Sequence, residues 1–101
     1  MLEHVRFWKT AISNMKNVIK PEGYLLITTR SKGFPKHNFP HDFWRYETDD
    51  MQWIFRDMDI LSIEMDPSQP GIFIFARKPK NFSEAGLDDH VLYNMEEGKR
   101  C

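Results

Sequence analysis

Cysteine is nearly absent: Cys101 is the only one in 101 residues, so no disulfide framework can form within the chain. A reducing compartment is the default for such a composition. The thiol is either incidental to its place or a link between two chains on oxidation. Long hydrophobic runs are missing too, and nothing approaches the roughly 20 apolar residues of a membrane span. The start, MLEHVRFWKT, holds neither a basic leader nor an apolar run of signal-peptide length. A cytoplasmic protein with no membrane partner is expected. Charge of one sign is lacking as well: 14 Lys and Arg stand against 15 Asp and Glu, for a net charge of -1. Both signs are spread along the chain, which leaves no basic stripe for a phosphate backbone and argues against nucleic acid. Glycine occurs at 5 positions, never as G-x-G, and no internal repeat or low-complexity segment is present.

Aromatic residues make up 14% of the chain, with Phe at 8 positions and Met at 6. That composition suits a packed interior, and the length allows one domain with one modest core. Val5, Trp8, Ile12, Met15 and Ile19 recur at helical steps, with Ala11 and Val18 beside them. They predict an amphipathic helix with Arg6, Lys9, Asn14 and Lys16 turned to solvent. Pro21 ends it near Lys20, and Gly23 offers a turn position open to positive φ. Tyr24–Thr29, YLLITT, is apolar on both faces and predicts a central strand covered on both sides.

Thr48 can cap a second helix, with Asp49 and Asp50 set against its N-terminal dipole. Met51, Ile54, Phe55 and Met58 form its apolar face. Asp59–Met65 predicts a half-buried strand with Leu61, Ile63 and Met65 inward. The turn-forming DPSQPG leads to Ile72–Ala76, a second apolar strand, and the two are expected to pair as an antiparallel hairpin. Residues 1–79 read as the domain. Residues 80–101 read as a polar, loosely attached extension with a weak apolar hint at Val91, Leu92 and Met95.

Between strand and second helix lies SKGFPKHNFPHDFWRY, residues 31–46. Unstructured connections longer than about 12–15 residues are uncommon and usually functional or disordered. So many rings argue against disorder. The loop also leaves from the carboxyl end of a strand, where open α/β sheets bind ligands. His37, His41 and Asp42 are candidates for base or ligand. As metal ligands the histidines need a helix to share a face, and Pro35 and Pro40 break one, so no metal site is assigned. Asp42, Arg45 and Tyr46 can bind a polar substrate, or Asp42 and Arg45 can pair with each other and fix the loop. Phe34, Phe39, Phe43 and Trp44 form either a satellite core or a substrate platform. Trp53, off the helical stripe, covers the sheet, meets a partner or is simply half exposed.

LEHV before a helix, VIKPEGYLLITT with its Pro-x-Gly turn, and GFPKHNFPHDFWRYETDDM together resemble class I S-adenosylmethionine-dependent methyltransferases over roughly residues 1–78. The likeness is to members with a His-Asp-Phe-Trp-Arg-Tyr loop after the fifth strand, many of which carry Lys-Pro-Gly-Gly in the turn. The resemblance implies a partial Rossmann-like α/β fold. It would have a small mixed three-stranded sheet, one helix–strand unit, a second helix and a C-terminal antiparallel hairpin, with the last strand beside the fifth. It also implies what is missing, namely the glycine-rich turn after the first strand and the acidic residue ending the second. The chain looks like the C-terminal, acceptor-side half of the fold: a truncated gene product, half of a split enzyme, or a fragment with a new use.

On that resemblance His4 faces the reaction centre and is a weak cofactor contact; read alone, it is an exposed residue at a helix start. Arg30, Asp42, Trp44, Arg45 and Tyr46 are the substrate-side candidates, and His4, His37 and His41 the catalytic ones. S-adenosylmethionine belongs to the completed enzyme, and the chain alone is not expected to bind it tightly. Without its neighbour, one edge of strand 24–29 is open. The expectations are a homodimer through that edge, antiparallel by symmetry, or docking onto a separate N-terminal half. The tail could also fold back over the gap. The alternative to an enzyme half is a non-catalytic interaction or dimerisation module.

Overall fold

Local chemistry sets the elements of the computed structural model, which describes residues 2–31, 33 and 42–101. A 3-10 turn, Leu2–His4, precedes helix α1, Trp8–Val18, and strand β1, Tyr24–Arg30. Short strand β2, Trp44–Arg45, leads into helix α2, Thr48–Ile54, and then strands β3, Asp59–Met65, and β4, Gly71–Arg77. Two short strands, β5 at Tyr93–Asn94 and β6 at Lys99–Arg100, close the chain. The described residues thus form a small α/β unit of two helices and two three-stranded sheets, ordered β1-β4-β3 and β2-β5-β6. Every strand pair is antiparallel, so the expected mixed sheet is corrected. The only strands that run parallel in the larger sheet, β1 and β3, are kept apart by β4.

α1 follows its apolar stripe, with Trp8 and Ile12 buried and Val5, Met15 and Ile19 packed against the core. Two details depart from the stripe. Val18 is 86% exposed, and Lys16, expected in solvent, is fully buried. Its Nζ donates to the carbonyl of Ile54 at 2.6 Å and to Asp57 Oδ2 at 2.9 Å. The long stem lies along the apolar face while the ammonium satisfies a carbonyl at the end of α2.

The turn after α1 is a type II turn over residues 20–23, closed by Gly23 N–H donating to Lys20 O at 2.9 Å. Pro21 suits its second position, and the third requires positive φ. Glu22, not Gly23, takes that conformation, with φ 68°. Gly23 serves for space: a Cβ there would meet Ile19 Cγ2 at 2.8 Å and Lys20 O at 2.9 Å.

α2 starts one residue earlier than Thr48 would set it, since Glu47 is the N-cap. Its side chain accepts the Asp50 N–H, while Asp50 Oδ2 accepts the Glu47 N–H at 2.8 Å, a reciprocal capping box. Met51, Ile54, Phe55 and Met58 are all buried as the pattern requires.

The β3–β4 hairpin forms, with a bulge between Ile60 and Ser62. The extra residue shifts alternation. Ile60 and Ile63 therefore reach the core, whereas Leu61 and Met65, expected inward, are 53% and 64% exposed. β4 lies between β1 and β3, pairing Leu26 with Phe75 and Ile27 with Ile74 on its β1 side.

Among the described residues the core occupies one face of this sheet. Leu25 and Ile27 of β1 and Ile72, Ile74 and Ala76 of β4 pack with Trp8, Ile12 and the α2 face. Each such Leu or Ile side chain contributes about 1.5–3 kcal/mol on burial. The opposite face carries Tyr24 and Leu26, 60% and 68% exposed, and Phe75, 37% exposed. Tyr24 stacks on Phe75 with centroids 5.4 Å apart. The expectation of a strand covered on both sides is therefore corrected: β1 alternates exposed and buried.

β1 is also an edge strand among the described residues. Lys78 N–H donates to Gly23 O and Ser31 N–H to Pro70 O, so odd-numbered residues turn their backbone groups toward β4. Tyr24, Leu26 and Thr28 turn theirs outward. At the next even position, Arg30 O accepts the Tyr46 N–H at 2.7 Å.

The tail is not loose. Leu87 and Leu92 are buried in the common core, and β5 pairs with β2. Ala85 N–H donates to Asp57 Oδ2 at 3.0 Å, and Arg56 Nη2 to Gly86 O at 2.7 Å. It covers the helices and β2, with none of these contacts on the open edge of β1.

Candidate functional site

The carboxyl end of β1 gathers three segments. The Leu2–His4 turn sits beside it, because the buried Glu3 accepts the Thr29 hydroxyl at 3.1 Å. Glu3 O also accepts the Phe43 N–H at 2.9 Å, which ties the end of the loop to the same place. His4 is half buried, its Nε2 3.8 Å from Glu3 Oε2. Arg30 turns instead to the hairpin, with Nη1 3.3 Å from Asp66 Oδ2.

Asp42 and Arg45 are fully buried and meet as a bidentate pair, Nη1–Oδ1 at 2.5 Å and Nη2–Oδ2 at 2.7 Å. Arg45 Nη1 also reaches Trp44 O at 2.9 Å. A planar fork matched to a carboxylate is strong and directional. Removing either partner leaves a buried charge uncompensated, at a cost of about 3–5 kcal/mol. In this arrangement the pair fixes the chain between the loop and α2. A substrate would reach one member only by displacing the other.

Tyr46 is fully buried, edge-on to Trp8 at 6.4 Å. Burial first, then the charges of Glu3 and Asp50, push its phenol far above the usual range, so it is neutral at any working pH. Trp44 is half buried and donates its indole N–H to Arg6 O at 3.3 Å. His37 and His41, with Phe34 and Phe39, lie outside the described residues.

The structure also assembles a group that sequence reading passed over. Asp50, read as a dipole partner for α2, has a 2% exposed side chain whose Oδ1 meets His90 Nε2 at 2.7 Å and Arg100 Nη2. His90 stacks on Trp53, centroids 4.6 Å apart and planes 15° apart, and presents its ring to Trp8 at 6.2 Å. Trp53 thus covers the tail, with the Arg56 guanidinium 3.6 Å over its ring. Beside this cluster a cavity of about 400 Å3 opens at the start of α1, with Arg6, Phe7, Trp8, Lys9, Trp44 and His90 on its wall. His90 and Arg100 lie in a stretch with no periodicity, and no spacing in the sequence links either to Asp50.

Among the described residues no group of three or more His, Cys, Asp and Glu could hold a metal ion. No helix of the described residues is long and apolar enough to cross a membrane. Beside β1, Glu3 is engaged with Thr29 and Asp42 with Arg45. Compared with family models, with curated proteins and with solved structures, the chain matches none.

Proposed function

We propose that the chain is the acceptor-side half of an S-adenosylmethionine-dependent methyltransferase of Rossmann-like type, inactive until a cofactor-carrying half joins it. One observation carries this reading: among the described residues, β1 is left bare both at its edge and on one face. A single strand–helix partner laid against β1 would pair Tyr24, Leu26 and Thr28 at the edge and cover Tyr24, Leu26 and Phe75 on the face. A cofactor-carrying half of the kind the resemblance implies supplies both. The carboxyl end of β1, with His4 and the loop toward Tyr46, then stands beside the junction. In-line methyl transfer needs cofactor and acceptor held in one geometry, which neither half provides alone.

Calorimetric titration with S-adenosylmethionine tests the reading, on the chain alone and on the chain mixed with the product of the upstream reading frame. Binding only in the mixture is the expected result. Binding by the chain alone tighter than roughly millimolar overturns the proposed incompleteness.

The second reading is a non-catalytic dimerisation module, and the edge itself favours it. Its outward backbone groups fall at residues 24, 26 and 28, a set symmetric about Leu26. Two copies related by a two-fold axis would place Leu26 opposite Leu26 and Tyr24 opposite Thr28 in an antiparallel ladder. Sedimentation velocity over a range of concentrations separates the readings. A dimer that forms without any second polypeptide supports the module, and a monomer at every concentration removes it.

A further inference from the structure

We propose that His90, held by Asp50, is the proton acceptor of a small-molecule site in the cavity at the start of α1, and that this site takes phenol-class ligands. The cavity, about 400 Å3, lies in the range of roughly 300–1,000 Å3 typical of ligand sites. Phe7, Trp8 and Trp44 offer ring surface for a planar body, and Phe7 is 74% exposed there. Asp50 accepts the Glu47 N–H, His90 Nε2 and Arg100 Nη2. Three donors, one of them a guanidinium, face its oxygens, and a carboxylate only accepts. Nε2 of a neutral His90 therefore carries the hydrogen, and Nδ1 keeps a lone pair.

Trp53 and Trp8 fix the plane of the ring. His90 is on the cavity wall with a 17% exposed side chain, while its Asp50 partner is 2% exposed. The nitrogen left for a ligand is thus Nδ1. In the step proposed, the proton of the ligand hydroxyl passes to Nδ1, and the O–H electron pair stays on oxygen. A phenolate and an imidazolium result. Asp50 stands opposite the imidazolium, and the wall cations Arg6 and Lys9 favour the phenolate. Lys9 Nζ spends one hydrogen bond on Asp88 O at 3.2 Å. Arg6 has no carboxylate partner among the described residues, and its guanidinium lies 5.8 Å from the Phe7 centroid. The Asp88 carboxylate on the same wall opposes a permanent anion more than a neutral acid that ionises in place. Where the chain completes a methyltransferase, this ligand is the methyl acceptor; that identification rests on the reading above, while the binding and proton transfer do not.

The probe is 4-nitrophenol, whose phenolate is yellow and whose neutral form is not, added to the full chain without cofactor. Saturable binding is expected, with the bound probe ionising about one pH unit lower than the free probe. Nitrogen NMR of the unsubstituted protein should show His90 Nδ1 gaining a proton as the probe binds. His90→Gln should remove most of the ionisation shift, leaving what the wall cations support, and the double variant Arg6→Gln with Lys9→Gln should weaken binding about tenfold. No saturable binding, binding with unchanged ionisation, or a shift undiminished in His90→Gln each overturns the proposal. A purely structural clamp by His90 would leave Nδ1 without a proton as the probe binds. Because no S-adenosylmethionine is present, the outcome is independent of the cofactor titration.

Discussion

Tyr46 brings a hydroxyl into the core with no partner among the described residues. A buried hydroxyl without a bond costs about 1–3 kcal/mol of lost solvation. Tyr46→Phe is expected to raise stability by about 1 kcal/mol, read as a higher urea midpoint at unchanged slope. A lower midpoint would show that the oxygen is bonded after all. Asp66 is the opposite case, a half-buried carboxylate held below its ordinary 3.8 first by the Ser68 N–H, then by the Gln69 N–H and Arg30. A group whose folded value is depressed stabilises above its unfolded value and loses that contribution as pH falls through the folded one. Asp66→Asn should therefore lower the urea midpoint by a constant amount above pH 5, roughly, with the difference vanishing as pH drops below 3.8.

At the scale of elements, the turn between α1 and β1 places Glu22 at φ 68°, a site that suits glycine. Its bond to Arg77, 3.1 Å between exposed groups, offsets little of that strain. Glu22→Gly is expected to stabilise by about 0.5–1 kcal/mol in chemical denaturation. No gain would mean that the turn is conformationally neutral. The tail makes a larger claim. Leu92 is fully buried and shares the core with Leu87. Leu92→Ala should cost about 2–5 kcal/mol and speed amide exchange in β5, β6 and β2 together. A cost below about 0.5 kcal/mol, usual for exposed sites, would restore the picture of a loose extension.

For the molecule as a whole, the proposed association turns on the edge and face of β1 that the described residues leave uncovered. Natural sheets guard such edges with charge, proline or bulges. Tyr24, Leu26 and Thr28 provide none of these. Leu26→Lys puts a charge at the centre of the ladder, where its symmetry mate would be a second lysine. It should abolish any self-association seen by sedimentation while leaving the fold intact, since Leu26 is 68% exposed. Association that persists in this variant would place the interface elsewhere.

Periodicity alone gave both helices, the long strands and the β3–β4 hairpin, because burial on one face imposes a spacing that a reader can count. The buried Met51, Ile54, Phe55 and Met58 were legible for that reason, as was the possible pairing of Asp42 with Arg45 three residues apart. Other features depended on groups distant in sequence. Lys16 enters the interior because Ile54 O and Asp57 wait for it, and Leu61 turns out because of a bulge. Among the described residues β1 keeps a naked face because the helices and tail all settle on the other one, a fact that no count of apolar residues in YLLITT contains. The meeting of Asp50, His90 and Arg100 likewise belongs to the tertiary structure alone. Spacing governs which residues share a surface of one element, whereas what that surface meets is determined only when remote segments compete for it.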